Sequence, residues 1–180
     1  KHFKEGINFE LYRTNKQWYI KYGDTIQVLD KKDFSRFFAS VDNKNLNIKL
    51  DKNRRILYDG DMFYFEIKSV KKGYVSVLTV YEDGTVASLV RNIPIRSNQI
   101  ENVPDKDFET IPQAGLMQKG VETFDLYVVI YSDEKIRYDD FAYADSQLIN
   151  EEKYKNFNEL IELLEGKEFT TLKVVTKPKN

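Results

Sequence analysis

Tyr74-Val75-Ser76-Val77-Leu78-Thr79-Val80-Tyr81, then Glu82-Asp83-Gly84-Thr85, then Val86-Ala87-Ser88-Leu89-Val90, reads as a strand, a tight turn and a returning strand. β-branched and aromatic residues fill both arms, and Gly84 stands in the turn, where a hairpin most needs a residue tolerant of positive φ. Outward from this hairpin the alternation continues. Phe63, Phe65 and Ile67 share one face of the preceding segment and are expected to point inward. Ile93-Pro94-Ile95 places a proline in a strand, which suits an edge because proline donates nothing to a ladder. Glu122 to Tyr131 carries Phe124, Leu126, Val128 and Ile130 on one side and Tyr127, Val129 and Tyr131 on the other, the pattern of a strand buried on both faces.

Towards the N-terminus, Ile7, Phe9 and Leu11, then Trp18, Ile20 and Tyr22, then Ile26 and Val28 form three short alternating runs separated by Thr14-Asn15-Lys16 and Gly23-Asp24, a meander. Asp33 to Phe38 suggests a short helical turn capped by Asp33. Leu46, Ile48 and Leu50 alternate again. Residues 97–120 are irregular, with Ile100, Phe108 and Ile111 as the apolar pieces expected to tie them down. One helix is expected over residues 151–165, with Asn150 as its cap, Gly166 as its stop, and Tyr154, Phe157, Leu160, Ile161 and Leu164 as one stripe. Phe169 to Val175 alternates as a last strand, and the tail from Lys177 is expected to fray. The fold class is therefore mainly β: an antiparallel β-sandwich-like domain with one C-terminal amphipathic helix and an N-terminal β meander. Residues 1–45 are expected to form the meander extension packed on the main domain of residues 46–180.

The chain has 180 residues, 41% of them hydrophobic and 32% charged, which fits a folded domain able to bury a core. Its net charge is −1, yet residues 1–58 carry a balance of +6 and residues 59–180 one of −7. Such polarity can orient a partner or simply solvate separate elements. No cysteine is present, which excludes disulfides, thiolate nucleophiles and Cys-ligated metal. No apolar run approaches the about 20 residues of a membrane-spanning helix.

Candidate chemistry is sparse. His2, the only histidine, has no second ligand to share a metal and no serine marked beside it. The glycines border strands rather than opening a helix, so no phosphate-binding loop or dinucleotide fingerprint is read. Asp59 and Asp61 fall on one face if their segment is extended and could then hold calcium or share a proton; the competing account makes Asp59-Gly60-Asp61 a turn whose aspartates bond to nearby amides. Asp133-Glu134 and Asp139-Asp140 are the other dense carboxylates. Lys16, Trp18, Lys21 and Tyr22 interleave cations with rings, but the even spacing of Trp18, Ile20 and Tyr22 describes a core face better than a single-strand groove. No cofactor, metal or nucleic-acid partner is expected.

Over residues 56–132 the sequence resembles the domain of unknown function 4384 family. The opening Ile56-Leu57-Tyr58-Asp59-Gly60-Asp61-Met62-Phe63-Tyr64-Phe65 is similar to the family's tyrosine, glycine, acid and strand. Gly73 to Leu78, Glu82 to Val86, Leu89 to Asn92, Ile111-Pro112 and Gly120-Val121-Glu122 follow in the family's order. The sequence departs at Val90-Arg91, where members carry phenylalanine and proline. The resemblance implies a bacterial accessory domain of the periplasm or cell envelope, attached to exported proteins or lipoproteins, without assigned catalytic residues. Its expected function is a non-enzymatic binding module, with another envelope protein or a wall component as partner. A lipid anchor in the precursor is compatible with this, and a cytoplasmic location stays open. The expected interaction surface comprises Tyr58, Asp59, Asp61, Asn98, Asn102 and Phe108. Two other readings stand beside it: a carboxylate-based hydrolase, which needs converging acids, and a carbohydrate- or cell-wall-binding module, which needs exposed coplanar rings.

Overall fold

The alternating runs fold into strands in a computed structural model that describes residues 9–14, 17–28, 41–81, 85–105, 111–139, 141–144 and 157–179. In chain order these are β1 (Phe9–Thr14), β2 (Gln17–Tyr22), β3 (Thr25–Val28), β4 (Leu46–Leu50), β5 (Ile56–Tyr58), β6 (Phe65–Ser69), β7 (Gly73–Val80), β8 (Val86–Ile95), β9 (Ile100–Val103) and β10 (Thr123–Ser132). Helix α1 (Phe157–Leu164) and strand β11 (Glu168–Lys177) close the chain. The protein is mainly β with a single described helix near its C-terminus, as its sequence pattern requires.

Strands β1, β2 and β3 form the expected antiparallel meander as a sheet of their own, with Tyr12 opposite Tyr19 and Tyr19 opposite Val28. The rest makes two sheets. The smaller has the order β4-β6-β9, all antiparallel. The larger has the order β5-β11-β10-β7-β8, antiparallel except for the β5–β11 pair. Period-two alternation decides which residues meet between them. From the small sheet come Leu46, Ile48, Leu50, Phe65 and Ile67; from the large one come Leu57, Val75, Val77, Tyr127, Val129 and Val174. Phe65 is fully buried, and its ring centroid lies 4.8 Å from that of Tyr127, edge to face.

The other face of the large sheet is also covered. Leu78, Val80, Leu126, Val128 and Ile130 pack against Leu160, Ile161 and Leu164 of α1 and against Tyr138 and Phe141. The arrangement is thus three layers, sheet on sheet on helix, with β7 and β10 in the middle layer. This is why Leu126 to Ile130 are almost wholly buried in both directions, as the doubly apolar sequence predicts. Each such side chain contributes about 1.5–3 kcal/mol when removed from water.

The ends of elements follow local chemistry. Gly166 at φ +67° ends α1, and the Lys167 amide donates to the Leu164 carbonyl at 3.1 Å. The proline strand β8 is an edge, as expected. Its outer side is covered by residues 136–139 and 141–144: Ser88 N–H donates to Ala142 O and accepts, through its own carbonyl, the Ala144 amide, both at 2.9 Å. Asn92, at φ +53°, exchanges two 2.9 Å hydrogen bonds with the backbone of Ile136. The Asp33–Phe38 turn, the Glu82–Gly84 turn, Phe108, and the first part of the 151–165 helix with its Asn150 cap lie outside the described residues.

Two expectations are corrected. The 97–120 excursion contains β9, paired antiparallel with β6, and it is anchored by Val103 and Ala114 rather than by Ile100, which is 64% exposed. Alternation explains the exchange: pairing with β6 points Val103 into the core beside Phe65, its partner in the ladder. Nor is the C-terminal tail free at Lys177, which remains in β11 opposite Tyr58.

Candidate functional site

The turn after β5 is where the expected surface residues collect. Gly60 sits at φ +81°, the third position of a four-residue turn closed by the Asp61 amide on the Tyr58 carbonyl at 2.8 Å. A type II turn demands positive φ there, and glycine supplies it without steric cost. Asp59 and Asp61 therefore do not line one face of an extended segment. Instead the Asp61 carboxylate accepts the Tyr58 amide at 2.9 Å, the turn chemistry set against the metal-binding account. Asp59 is exposed, and its backbone amide donates to Lys177 O at 2.9 Å.

This turn is zipped to a distant segment. Gly60 N–H donates to Ala114 O, and Ala114 N–H to Asp61 O, each at 2.8 Å. Phe63 N–H donates to Pro112 O at 3.1 Å, and the Gln113 amide reaches Gly60 O at 3.1 Å. Further along, the Met117 amide donates to the hydroxyl of buried Thr123 at 2.9 Å, which ties the 111–122 loop to the start of β10. A rigid backbone thus presents four apolar side chains to solvent: Tyr58 at 48% exposure, Met62 at 58%, Met117 at 50% and Val121 at 48%.

Charges surround them. The Arg54 guanidinium binds buried Asp51 at 2.5 Å and the Met62 carbonyl at 3.0 Å, and lies 3.7 Å from Asp61. Lys179 Nζ is 3.6 Å from the other Asp61 oxygen, and Lys177 Nζ is 3.6 Å from Glu122. The Tyr58 amide, and then Lys179 and Arg54, hold the Asp61 carboxyl below its ordinary value.

Of the six expected surface residues, Tyr58, Asp59 and Asp61 come together here. Asn98 does not: at φ +59° it donates its amide to Ser69 O at 2.7 Å, beyond the far end of β6. Asn102 lies in β9 opposite Glu66, and Phe108 is outside the described residues. Sequence reading missed Met62, Met117, Val121, Gln113 and Lys179 as members of this surface. Only a pairing of residues 60–63 with 112–114 would have gathered them, and residues 112–114 have no strand-like period to announce it.

The acids named as hydrolase candidates are spread out. Asp61 is turned into the Tyr58 turn, whereas Asp133 accepts the Tyr131 hydroxyl at 2.7 Å at the opposite end of β10. That second end holds an open cleft of about 370 Å³ lined by Tyr131, Asp133, Lys135, Ile136, Lys167 and Glu168. There the Lys71–Glu168 pair is closed at 2.5 Å, and burial, with Asp133 beside it, pushes the Tyr131 phenol up to about 12. Among the described residues no group of three or more acid or histidine side chains is placed to hold a metal. Among the described residues the two strongly exposed tyrosines, Tyr58 on β5 and Tyr143 against β8, sit at opposite edges of the large sheet and form no common platform. The Arg91 guanidinium lies over the Tyr143 ring at 4.0 Å.

No family model, curated protein or solved structure matches the chain. No described helix is long and apolar enough to cross a membrane.

Proposed function

We propose that the chain is a non-enzymatic binding module whose contact surface is the end of the sandwich built by the Tyr58–Met62 turn and the 111–122 loop. The observation that carries this reading is the gathering of Tyr58, Met62, Met117 and Val121, each about half exposed, on backbone held by reciprocal hydrogen bonds. Apolar groups on a rigid frame lose little entropy on contact, and a charged rim around them excludes water and sets orientation. The partner is another protein. As the likeness to the domain of unknown function 4384 family implies, the setting is the envelope of a bacterium, where the module serves as an accessory to a larger protein.

The test is a crosslinking capture from envelope extract with the wild-type chain and a Met62→Ser/Val121→Ser variant. Both positions are exposed and outside the core, so unfolding stability should stay within about 0.5 kcal/mol of wild type per site. Loss of a hot spot of about 2 kcal/mol weakens capture roughly thirtyfold. Equal capture by the two proteins, or none by either, would overturn the reading.

A further inference from the structure

We propose that Met62 and Met117 form a two-electron oxidation site through which peroxide or hypohalous acid changes the polarity of this end of the molecule without unfolding it. The chain contains no cysteine and two methionines, so these two thioethers are all the sulfur it has. Methionine ordinarily fills gaps in cores. Here the cores are built from Val, Ile, Leu, Phe, Tyr and Ala, and both methionines stand outside them, at 58% and 50% exposure. They also belong to one end of the fold. Met62 bridges Gln113, and the segment carrying Gln113 continues to Met117, whose amide is tied to Thr123.

The chemistry closes without another group from the protein. The sulfur lone pair attacks one peroxide oxygen, the O–O bond breaks, an S–O bond forms, and water leaves; the thioether is oxidised and the peroxide reduced. Hypohalous acid gives the same sulfoxide with halide and a proton as products. A dithiol reductase reverses the step, returning the thioether and water as the dithiol becomes a disulfide. Two of the four exposed apolar side chains at this end would then carry a strongly polar S=O group. The consequence for partner binding rests on the contact-surface reading above, whereas the sulfur site itself does not.

Native protein treated with hydrogen peroxide should gain two oxygen atoms, mapped by peptide mass to Met62 and Met117. Because exposure governs the rate, each should oxidise within about threefold of its rate in the urea-unfolded chain. The denaturation midpoint should not move, and retention on a hydrophobic-interaction column should fall, then recover with methionine sulfoxide reductase and a dithiol. A Met62→Leu/Met117→Leu variant should keep its retention under the same treatment. Native oxidation about tenfold or more slower than in the unfolded chain, a lowered midpoint, or unchanged wild-type retention would overturn the proposal. None of these readouts involves a partner, so their failure is separable from failure of the capture experiment.

Discussion

Gly73 opens β7 against the end of β10, and replacing it with alanine should be costly for a reason unrelated to φ. A Cβ built there lies 2.6 Å from Ser132 O and 2.9 Å from Cε2 and the hydroxyl of Tyr131. The nearest atom is backbone, in the sheet pair where Tyr74 faces Ser132, so it can move only by prising β7 from β10. Tyr131 cannot swing aside cheaply either, since its hydroxyl lies 2.8 Å from Lys72 O and 2.7 Å from Asp133 Oδ1. Overpacking of this kind costs about 1–3 kcal/mol, and rigid backbone places it in the upper half of that range. Alanine also lowers the entropy of the unfolded chain, which returns about 0.4–1 kcal/mol. The net loss is about 2 kcal/mol, or roughly 4–8 °C in Tm for a chain of this size. Gly115→Ala is the matched control: no heavy atom lies within 4 Å of its added Cβ, and its φ is not positive, so the same substitution should be neutral or stabilising by up to about 1 kcal/mol. Urea denaturation of both variants decides. If Gly73→Ala is as stable as wild type, or if the two shifts share a sign, the close-approach argument is wrong.

Two further perturbations probe the opposite edge and the second cleft. Asn92→Ala removes both hydrogen bonds to Ile136 while leaving a Cβ residue at φ +53°, and should cost about 2–3 kcal/mol by denaturant melt; Asn92→Gly, which relieves the backbone term only, should cost less. Tyr131 has a folded-state value of about 12 against an ordinary 10, so its neutral form stabilises the fold fully below pH 10 and that contribution is lost as pH rises through 12. Alkaline unfolding followed by circular dichroism should therefore shift in Tyr131→Phe, whose stability should fall less between pH 10 and 12 than that of wild type; identical pH profiles would contradict the assignment.

The β architecture was readable because burial and the pleat share a period. Phe63, Phe65 and Ile67, or Leu46, Ile48 and Leu50, announce an inward face on their own, and the apolar run through Tyr127 to Tyr131 announces two. Proline in β8 and glycine after α1 mark an edge and an end for equally local reasons. What the residues did not display is layer assignment. Val75 and Val77 meet the small sheet while Leu78 and Val80 meet α1, and because both faces of this alternation are apolar nothing local says which face takes which layer. The same limit hid β9. Ile100 is one of the apolar pieces expected to anchor the excursion, yet register with β6 buries Val103 and leaves Ile100 in solvent.

The proposed contact end was harder to see because it is made by backbone hydrogen bonds between stretches about fifty residues apart, with no side-chain pattern to mark them. Those bonds also bear on how a partner can bind. In the parallel pair with β11, Leu57 and Asp59 turn their polar groups towards β11, as the Asp59 amide on Lys177 O shows, so those of Tyr58 turn outward. That outward amide is already taken by the Asp61 carboxylate and the outward carbonyl by the Asp61 amide. At the other edge, Ala142 and Ala144 occupy Ser88 in the same way. Blocked edges of this kind discourage strand addition. On the proposed contact-surface reading, association through the Tyr58 end should therefore depend on side chains, on Tyr58 itself and on the two methionines and valine of its neighbouring segments, and its strength should follow their polarity rather than the backbone geometry of β5.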